Sequence, residues 1–168
     1  MINLPILEIQ EIRKIYKQTE LLSTIVMLVA LPVFGIIYLF FESGKKLVEV
    51  PETPEFLVWI LASICFVGLI FQYLRFSQKI KLTFERSELV EKVKTYCQAT
   101  NQRYLILFVV SLISSTGLLL SKNPVFTLLF AIALVFFSLA KPTPDRMARL
   151  MKLKKEEKEL IRSASRPE

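Results

Sequence analysis

The sequence predicts an all-α, polytopic membrane protein with four transmembrane helices arranged as two hairpins. Four stretches of 18 to 21 residues carry no charge, and every charged residue of the chain falls outside them. At about 1.5 Å per helical residue, each stretch covers roughly the 30 Å hydrocarbon layer of a bilayer. Hydrophobic residues make up 53% of the 168 residues while 22% are charged, which fits neither a disordered chain nor an ordinary soluble bundle. The stretches are residues 21–41, 56–74, 104–121 and 123–140.

Two other interpretations of these stretches are open. A soluble bundle places polar residues along one side of each helix, whereas residues 26–37 have no such side. Buried helices of a soluble assembly are therefore the alternative to membrane spans. A cleaved signal peptide has an apolar run of about 7 to 15 residues after a short basic start. The first stretch is longer, follows 20 residues of mixed charge and ends on the bulky residues 38–41, so we expect a retained span.

The basic residues predict the orientation. Three precede the first stretch, seven lie between the second and third, and nine follow the fourth, so 19 of the 22 fall in alternate segments. The first and third connections hold only Lys45, Lys46 and Lys122. By the positive-inside rule both termini and the middle segment are cytoplasmic. We expect an integral protein of a bacterial inner membrane, or of an organelle membrane with the equivalent orientation.

The connections predict how the spans pair. The first hairpin, residues 21–76, has a loop at residues 42–55 that ends with Pro51 and Pro54. The second, residues 104–140, has a connection of a few residues, in which Asn123 and Pro124 supply a turn and a helix start. The two spans of the second hairpin are therefore expected to be neighbours within a single membrane domain, residues 1–168.

Amphipathic cytoplasmic helices are expected before each hairpin and at the C-terminus. The first lies in residues 1–20 and the second in residues 77–103, because apolar residues recur there at helical spacing. They are Ile9, Ile12 and Tyr16 in the first, and Leu89, Val93, Tyr96 and Cys97 in the second. The third is a basic helix in residues 141–168, with Thr143 as its N-cap, Pro144 at its first position and Asp145 in its first turn.

The chain also carries the signs of an internal duplication. Residues 8–18 and 88–98 share identical residues at an offset of 80, including Tyr16 with Tyr96 and Lys14 with Lys94. Residues 8–76 and 88–140 would be two copies of the same unit, each an interfacial helix followed by a hairpin. Chance similarity between two amphipathic helices is the alternative.

Small and polar residues inside the spans predict helix packing. Ser111 with Ser115, and Gly117 with Ser121, form small-xxx-small pairs in the third span, which favour close packing. A pore lined by the same hydroxyls is the alternative. In the first span, Pro32 and Gly35 predict a kink near mid-membrane, with no further role.

The chemistry of the chain argues against catalysis. The sequence has no His, and none of the four stretches contains a charged residue, so a proton relay within the membrane is not expected. Cys65 and Cys97 lie in different environments, where we expect neither a disulfide nor a metal site. The carboxylates of Glu85, Glu88 and Glu91 alternate with basic residues, as on a solvated helix face. We therefore expect no catalytic residues, no cofactor and no metal.

The expected function is that of a small non-catalytic accessory, assembly or scaffold component of a larger membrane complex. The expected partners are other membrane protein subunits or further copies of this chain, and lipids with anionic head groups on the cytoplasmic side. Nucleic acid is not expected, because no basic surface with stacking aromatics is recognisable. The alternatives are a homo-oligomeric channel or pore, and a hairpin protein that shapes the membrane.

Overall fold

A computed structural model describes residues 3–44, 53–86 and 88–165, and this part of the chain is all-helical, without a strand. The prediction of an all-α protein is confirmed. The helices are α1 (Asn3–Glu42), α2 (Glu55–Leu82), α3 (Leu89–Ser121), α4 (Val125–Ala140), α5 (Pro144–Leu150) and α6 (Lys155–Ser165), with a 3-10 turn at Thr83–Glu85. The predicted loop residues Lys45, Lys46 and Pro51 lie outside the described residues.

Three helices are long and apolar enough to cross a membrane. They are α1, α2 and α3, and a fourth candidate arises only when α4 is counted together with the short helix α5 that follows it. On its own, α4 has 16 residues and a length of about 24 Å. These lengths and compositions are consistent with an integral membrane protein.

The long helices differ from the predicted elements in where they begin and end. The amphipathic segment 1–20 and the first span were expected as separate helices, but both belong to the 40-residue helix α1. Likewise, α2 continues past its uncharged stretch to Leu82, and α3 begins at Leu89 and runs through the third stretch. The charged residues at these points mark only the ends of the uncharged stretches. They do not end a helix, because Glu, Lys, Arg and Gln are good helix formers.

The single predicted domain is divided into two compact units. Unit 1 comprises Met1–Ser23, Leu74–Arg103 and Lys141–Glu168, and unit 2 comprises Thr24–Tyr73 and Tyr104–Ala140. Unit 1 therefore holds the three predicted cytoplasmic segments, and unit 2 holds most of the four uncharged stretches. Each of the helices α1, α2 and α3 contributes residues to both units.

Unit 1 has a hydrophobic core of its own, to which all three of its segments contribute. Tyr16 and Tyr96, the equivalent residues of the proposed duplication, are both buried in it. The Tyr16 hydroxyl donates to the carbonyl of Pro142 at 3.1 Å, and Arg13 Nε donates to the carbonyl of Ala164 at 3.3 Å. The buried residues of this core are Ile12, Tyr16, Ile80, Val93, Tyr96, Cys97, Met147, Met151, Ile161 and Ala164.

Unit 2 is held by aromatic and polar contacts between its helices. The ring of Phe34 in α1 stacks on Phe130 in α4, with centroids 3.7 Å apart. The Tyr104 hydroxyl donates to the carbonyl of Phe137 at 3.2 Å, which joins α3 to α4. The predicted turn before α4 is confirmed, since Asn123 Oδ1 accepts the N–H of Val125 at 3.0 Å.

The C-terminal segment is two helices, and the prediction of a single basic helix in residues 141–168 is wrong. Its predicted start is confirmed, because Thr143 caps α5 by accepting the N–H of Arg146 and Pro144 is its first residue. The helix then ends in a Schellman motif. Lys152 takes a positive φ of 52°, and the N–H of Leu153 donates to the carbonyl of Ala148 at 3.0 Å. A lysine stands where glycine is usual, so the sequence offered no clear stop signal.

Candidate functional site

The predicted packing residues of the third span lie in α3 within unit 2. Ser111 and Ser115 are buried, and their hydroxyls donate to backbone carbonyls of the same helix, to Leu107 and Ser111, both at 2.8 Å. The Ser121 hydroxyl does the same to Gly117 at 2.7 Å. Because each hydroxyl has a partner within its own helix, these serines act through their small size.

Gly117 marks a close approach of α3 and α4. A Cβ atom placed on Gly117 would overlap the ring of Phe126, which is fully buried. A second close approach, which the sequence analysis missed, lies between α2 and α3. There a Cβ on Gly68 would come within 2.8 Å of Val110 Cγ2. An isolated glycine in an apolar helix carries no signal about its neighbour, so only the packing identifies this position.

Cys65 and Ser114 form a buried polar contact that also joins α2 to α3. Their Sγ and Oγ atoms lie 3.6 Å apart, and the Cys65 thiol lies 3.9 Å from the carbonyl of Val110. Cys65 and Cys97 are both free and buried. Among the described residues, no group of three or more Cys, Asp and Glu side chains is arranged to hold a metal ion.

Pro32 and Gly35 lie inside α1, which continues through both of them. Nothing lies within 4 Å of a Cβ placed on Gly35, so this glycine is not required for close packing. The predicted kink stays a prediction.

A charged groove lies between α5 and α6 in unit 1. It has a volume of about 730 Å³. Arg146 and Arg149 line it from α5 and Lys152 from the turn, while Lys158 and Arg162 line it from α6. The two arginines are three residues apart and the last two residues four apart, so each pair lies on one face of its helix. We call these five residues and the space between them the basic groove.

One carboxylate, that of Asp145, lies in the basic groove. Its Oδ1 accepts from Arg162 Nη2 at 2.7 Å and from Lys158 Nζ at 3.5 Å. The hydrogen bond from Arg162, supported by Lys158, holds the pKa of Asp145 below its ordinary value. Neither Arg146 nor Arg149 forms an ion pair with another described residue. Asp145 thus occupies one part of the groove and leaves the α5 side to other anions.

A separate ion pair attaches α6 to α3. Lys92 Nζ lies 3.3 Å from Glu157 Oε1, and Glu157 Oε2 accepts the N–H of Lys154 at 2.9 Å, which caps α6. Burial alone would raise the pKa of Glu157, but these hydrogen bonds and the two positive charges hold it below its ordinary value. Together with the core residues Ile161 and Ala164, this pair holds α6, one wall of the groove, in unit 1.

The sequence analysis did not predict the basic groove. It placed the basic residues on one helix, where they would surround an apolar side. The only signal was Glu157, three residues after Lys154, a spacing seen at helix N-termini. Guanidinium and ammonium groups carry positive charge and donate hydrogen bonds, so the side chains of this groove are suited to anions.

The comparisons with known proteins identify no relative. No family model, curated protein or solved structure matches this chain. The functional proposal therefore depends on the residues and contacts of the chain itself.

Proposed function

We propose that this chain is a small, non-catalytic, four-span membrane protein that serves as an accessory, assembly or scaffold component of a larger membrane complex. The observation that carries the proposal is that unit 1 is formed by three separate segments of the chain. Three segments that are far apart in the sequence fold around one core, and each is separated from the next by two uncharged stretches.

The shared core of the three segments of unit 1 supports an even number of membrane crossings between one segment and the next. Segments that share a core must lie on the same side of a membrane. The chain leaves unit 1 after Ser23 and returns at Leu74, then leaves it after Arg103 and returns at Lys141. Two crossings in each excursion satisfy this condition. The positive-inside rule leads to the same topology from charge alone, since 19 of 22 basic residues fall in these three segments.

Contacts within unit 2 support the second hairpin. Gly117 meets Phe126 near the connection between α3 and α4, and Tyr104 meets Phe137 at the far ends of the same helices. This pattern is that of antiparallel neighbours. The hydroxyl of Thr53, just before α2, donates to the carbonyl of Leu120 in α3 at 3.0 Å. The start of the second span therefore lies beside the end of the third. Although α4 is short, Pro124 immediately precedes it and Lys141, Pro142 and Thr143 follow it, and these residues can complete its passage through the head-group region.

The surface of unit 2 supports a role in association. Its α2 helix exposes large apolar and aromatic side chains, among them Trp59, Phe66 and Phe71. An exposed surface of this kind faces either lipid tails or the spans of another subunit. By contrast, Ser111 and Ser115 are buried and bonded within α3, which does not favour the pore alternative.

The topology is tested by cysteine labelling in oriented membrane vesicles. Both native cysteines are buried, so single cysteines introduced at exposed positions report the accessible side. A membrane-impermeant maleimide should label Lys17→Cys and Lys155→Cys from the cytoplasmic side only, and Ser43→Cys and Lys122→Cys from the opposite side only. Labelling of all four positions from one side would contradict the four-span arrangement.

The scaffold role is tested by affinity purification from native membranes in a mild detergent. A stoichiometric membrane partner is expected. A photo-crosslinking residue at the exposed Phe66 should capture it, whereas the same residue at the buried Val58, also in α2, should not. A ring of identical chains whose ion conductance is abolished by Ser111→Leu would contradict the proposal and establish the channel.

A further inference from the structure

The basic groove differs from the other basic residues of the chain because its positive charges line one concave surface. Five cationic side chains and one carboxylate line a single concavity of about 730 Å³. Two helices and a turn in the left-handed region hold them there, through the Schellman motif at Lys152 and the ion pair between Lys92 and Glu157. A flexible basic tail would present the same charges without a defined position.

The distribution of charge within the groove leaves a binding site on one side. Asp145 already accepts from Lys158 and Arg162 on α6. On the other side, the guanidinium groups of Arg146 and Arg149 form no ion pair with a described residue. The ammonium group of Lys152 lies 5.3 Å from the centre of the Phe84 ring and forms no ion pair with a described residue. These three residues therefore present three positive charges along α5 and the turn.

The place of the groove in the chain indicates which anion can reach it. Thr143, the N-cap of α5, follows Ala140, the last residue of the fourth uncharged stretch, by three residues. Three residues of extended chain span at most about 11 Å, and a head-group region is about 5 to 8 Å thick on each side of the hydrocarbon layer. If the fourth stretch crosses the membrane, α5 therefore begins within the head-group region or just beyond it.

We propose that the basic groove binds the head group of an anionic phospholipid, with the phosphate held by Arg146, Arg149 and Lys152. Guanidinium groups suit this ligand because they donate two parallel hydrogen bonds to phosphate oxygens. The Asp145 carboxylate competes for the cationic groups of α6 and keeps the site from being fully positive. This inference rests on the proposed function, since it requires α5 to lie at the cytoplasmic face of a membrane.

The test is a titration of the full-length protein, in a zwitterionic detergent, with a water-soluble short-chain phosphatidylglycerol. Short-chain phosphatidylcholine and inorganic phosphate are the two comparison probes. The groove variant is Arg146→Gln, Arg149→Gln and Lys152→Gln combined. Its matched control is Lys94→Gln, Lys154→Gln and Lys155→Gln combined, which removes the same charge from exposed positions of unit 1 outside the groove.

We expect wild-type protein to bind phosphatidylglycerol in preference to phosphatidylcholine. The groove variant should weaken this binding by at least about tenfold, because it removes the donors that hold the phosphate. The control should weaken it by less than about twofold, because its three lysines lie outside the groove. The single variant Arg149→Gln repeats the test without risk to folding, because this side chain is exposed and forms no ion pair with a described residue. Asp145→Asn should tighten binding by about threefold, whereas Glu159→Gln, an exposed carboxylate outside the groove, should leave it unchanged.

Three results would overturn the inference. Equal losses in the groove and control variants would show that only the general positive charge attracts the lipid. Inorganic phosphate binding as tightly as phosphatidylglycerol, with the same dependence on Arg149, would make free phosphate the ligand. An absence of binding to wild-type protein would remove the site. Each of these leaves the cysteine-labelling pattern unchanged, so failure of the lipid site and failure of the four-span topology are told apart.

Discussion

The packing of Gly117 against Phe126 allows the sharpest prediction about stability. In Gly117→Ala, the new methyl group would overlap carbon atoms along one side of the Phe126 ring, and this ring is fully buried between its neighbours. Neither α3 nor α4 can separate without opening other contacts, such as the hydrogen bond from Tyr104 to Phe137. Overpacking of this kind costs about 1 to 3 kcal/mol, since side chains or backbone must shift.

A matched control is available in α1. At Gly35, nothing lies within 4 Å of a placed Cβ atom. Gly35→Ala should therefore be neutral or should stabilise by up to about 1 kcal/mol, because alanine is the better helix former. The same propensity gain applies to Gly117→Ala and offsets part of its cost. A net destabilisation of up to about 2 kcal/mol remains.

The assay is thermal unfolding of the purified protein in detergent, followed by the loss of its monodisperse elution peak. Gly117→Ala should unfold at a lower temperature than wild type, and Gly35→Ala at the same or a higher temperature. In the background of Phe126→Leu, which removes the ring, Gly117→Ala should lose most of its effect. Equal stability of the two alanine variants would refute the close approach of α3 and α4 at this position.

Three further predictions concern single side chains. Lys122 has a φ of 53°, a conformation that glycine adopts without strain. Lys122→Gly should therefore stabilise the protein by up to about 1 kcal/mol in the same unfolding assay. As a control, Lys14→Gly, inside α1, should destabilise it by about 1 kcal/mol. The lowered pKa of Glu157 means that its contribution to stability is present above its ordinary value of 4.5 and is lost as the pH falls through the lower folded value. Glu157→Gln should therefore lower stability at pH 7 by about 1 kcal/mol and flatten the acid side of the profile, and an unchanged profile would refute the pairing with Lys92. Cys65 and Cys97 should resist a maleimide in folded protein and react after denaturation, as counted by mass spectrometry, because both thiols are buried; fast labelling of either in the folded state would contradict its position.

Local signals in the sequence predicted several elements correctly. Thr143 and Pro144 marked the start of α5, and Asn123 with Pro124 marked the turn before α4, because caps and turns depend on the residues that form them. Helix boundaries without such a signal were predicted wrongly. A break was expected near residue 20, where α1 continues, and no break was expected at Lys152, where α5 ends.

The candidate site was less predictable than the helices. The small residues of the third span stood out in the sequence, but the partner of Gly117 did not, because Phe126 is brought to it by the turn. Gly68 and Cys65 had no distinguishing pattern at all. The basic groove depends on the turn at Lys152, which separates α5 from α6 and lets basic side chains of both helices line one space.

The sequence by itself determined which parts of the chain are apolar and which are basic: four stretches lack charged residues, and 19 of the 22 basic residues fall before the first stretch, between the second and third, and after the fourth. These follow from transfer energies, which depend on each residue type and not on its neighbours in space. Only the tertiary structure decided that three distant segments share the core of unit 1, that α3 and α4 meet at Gly117, and that five basic side chains line one groove. Such features depend on which surfaces pack together, and packing joins residues that no local pattern connects.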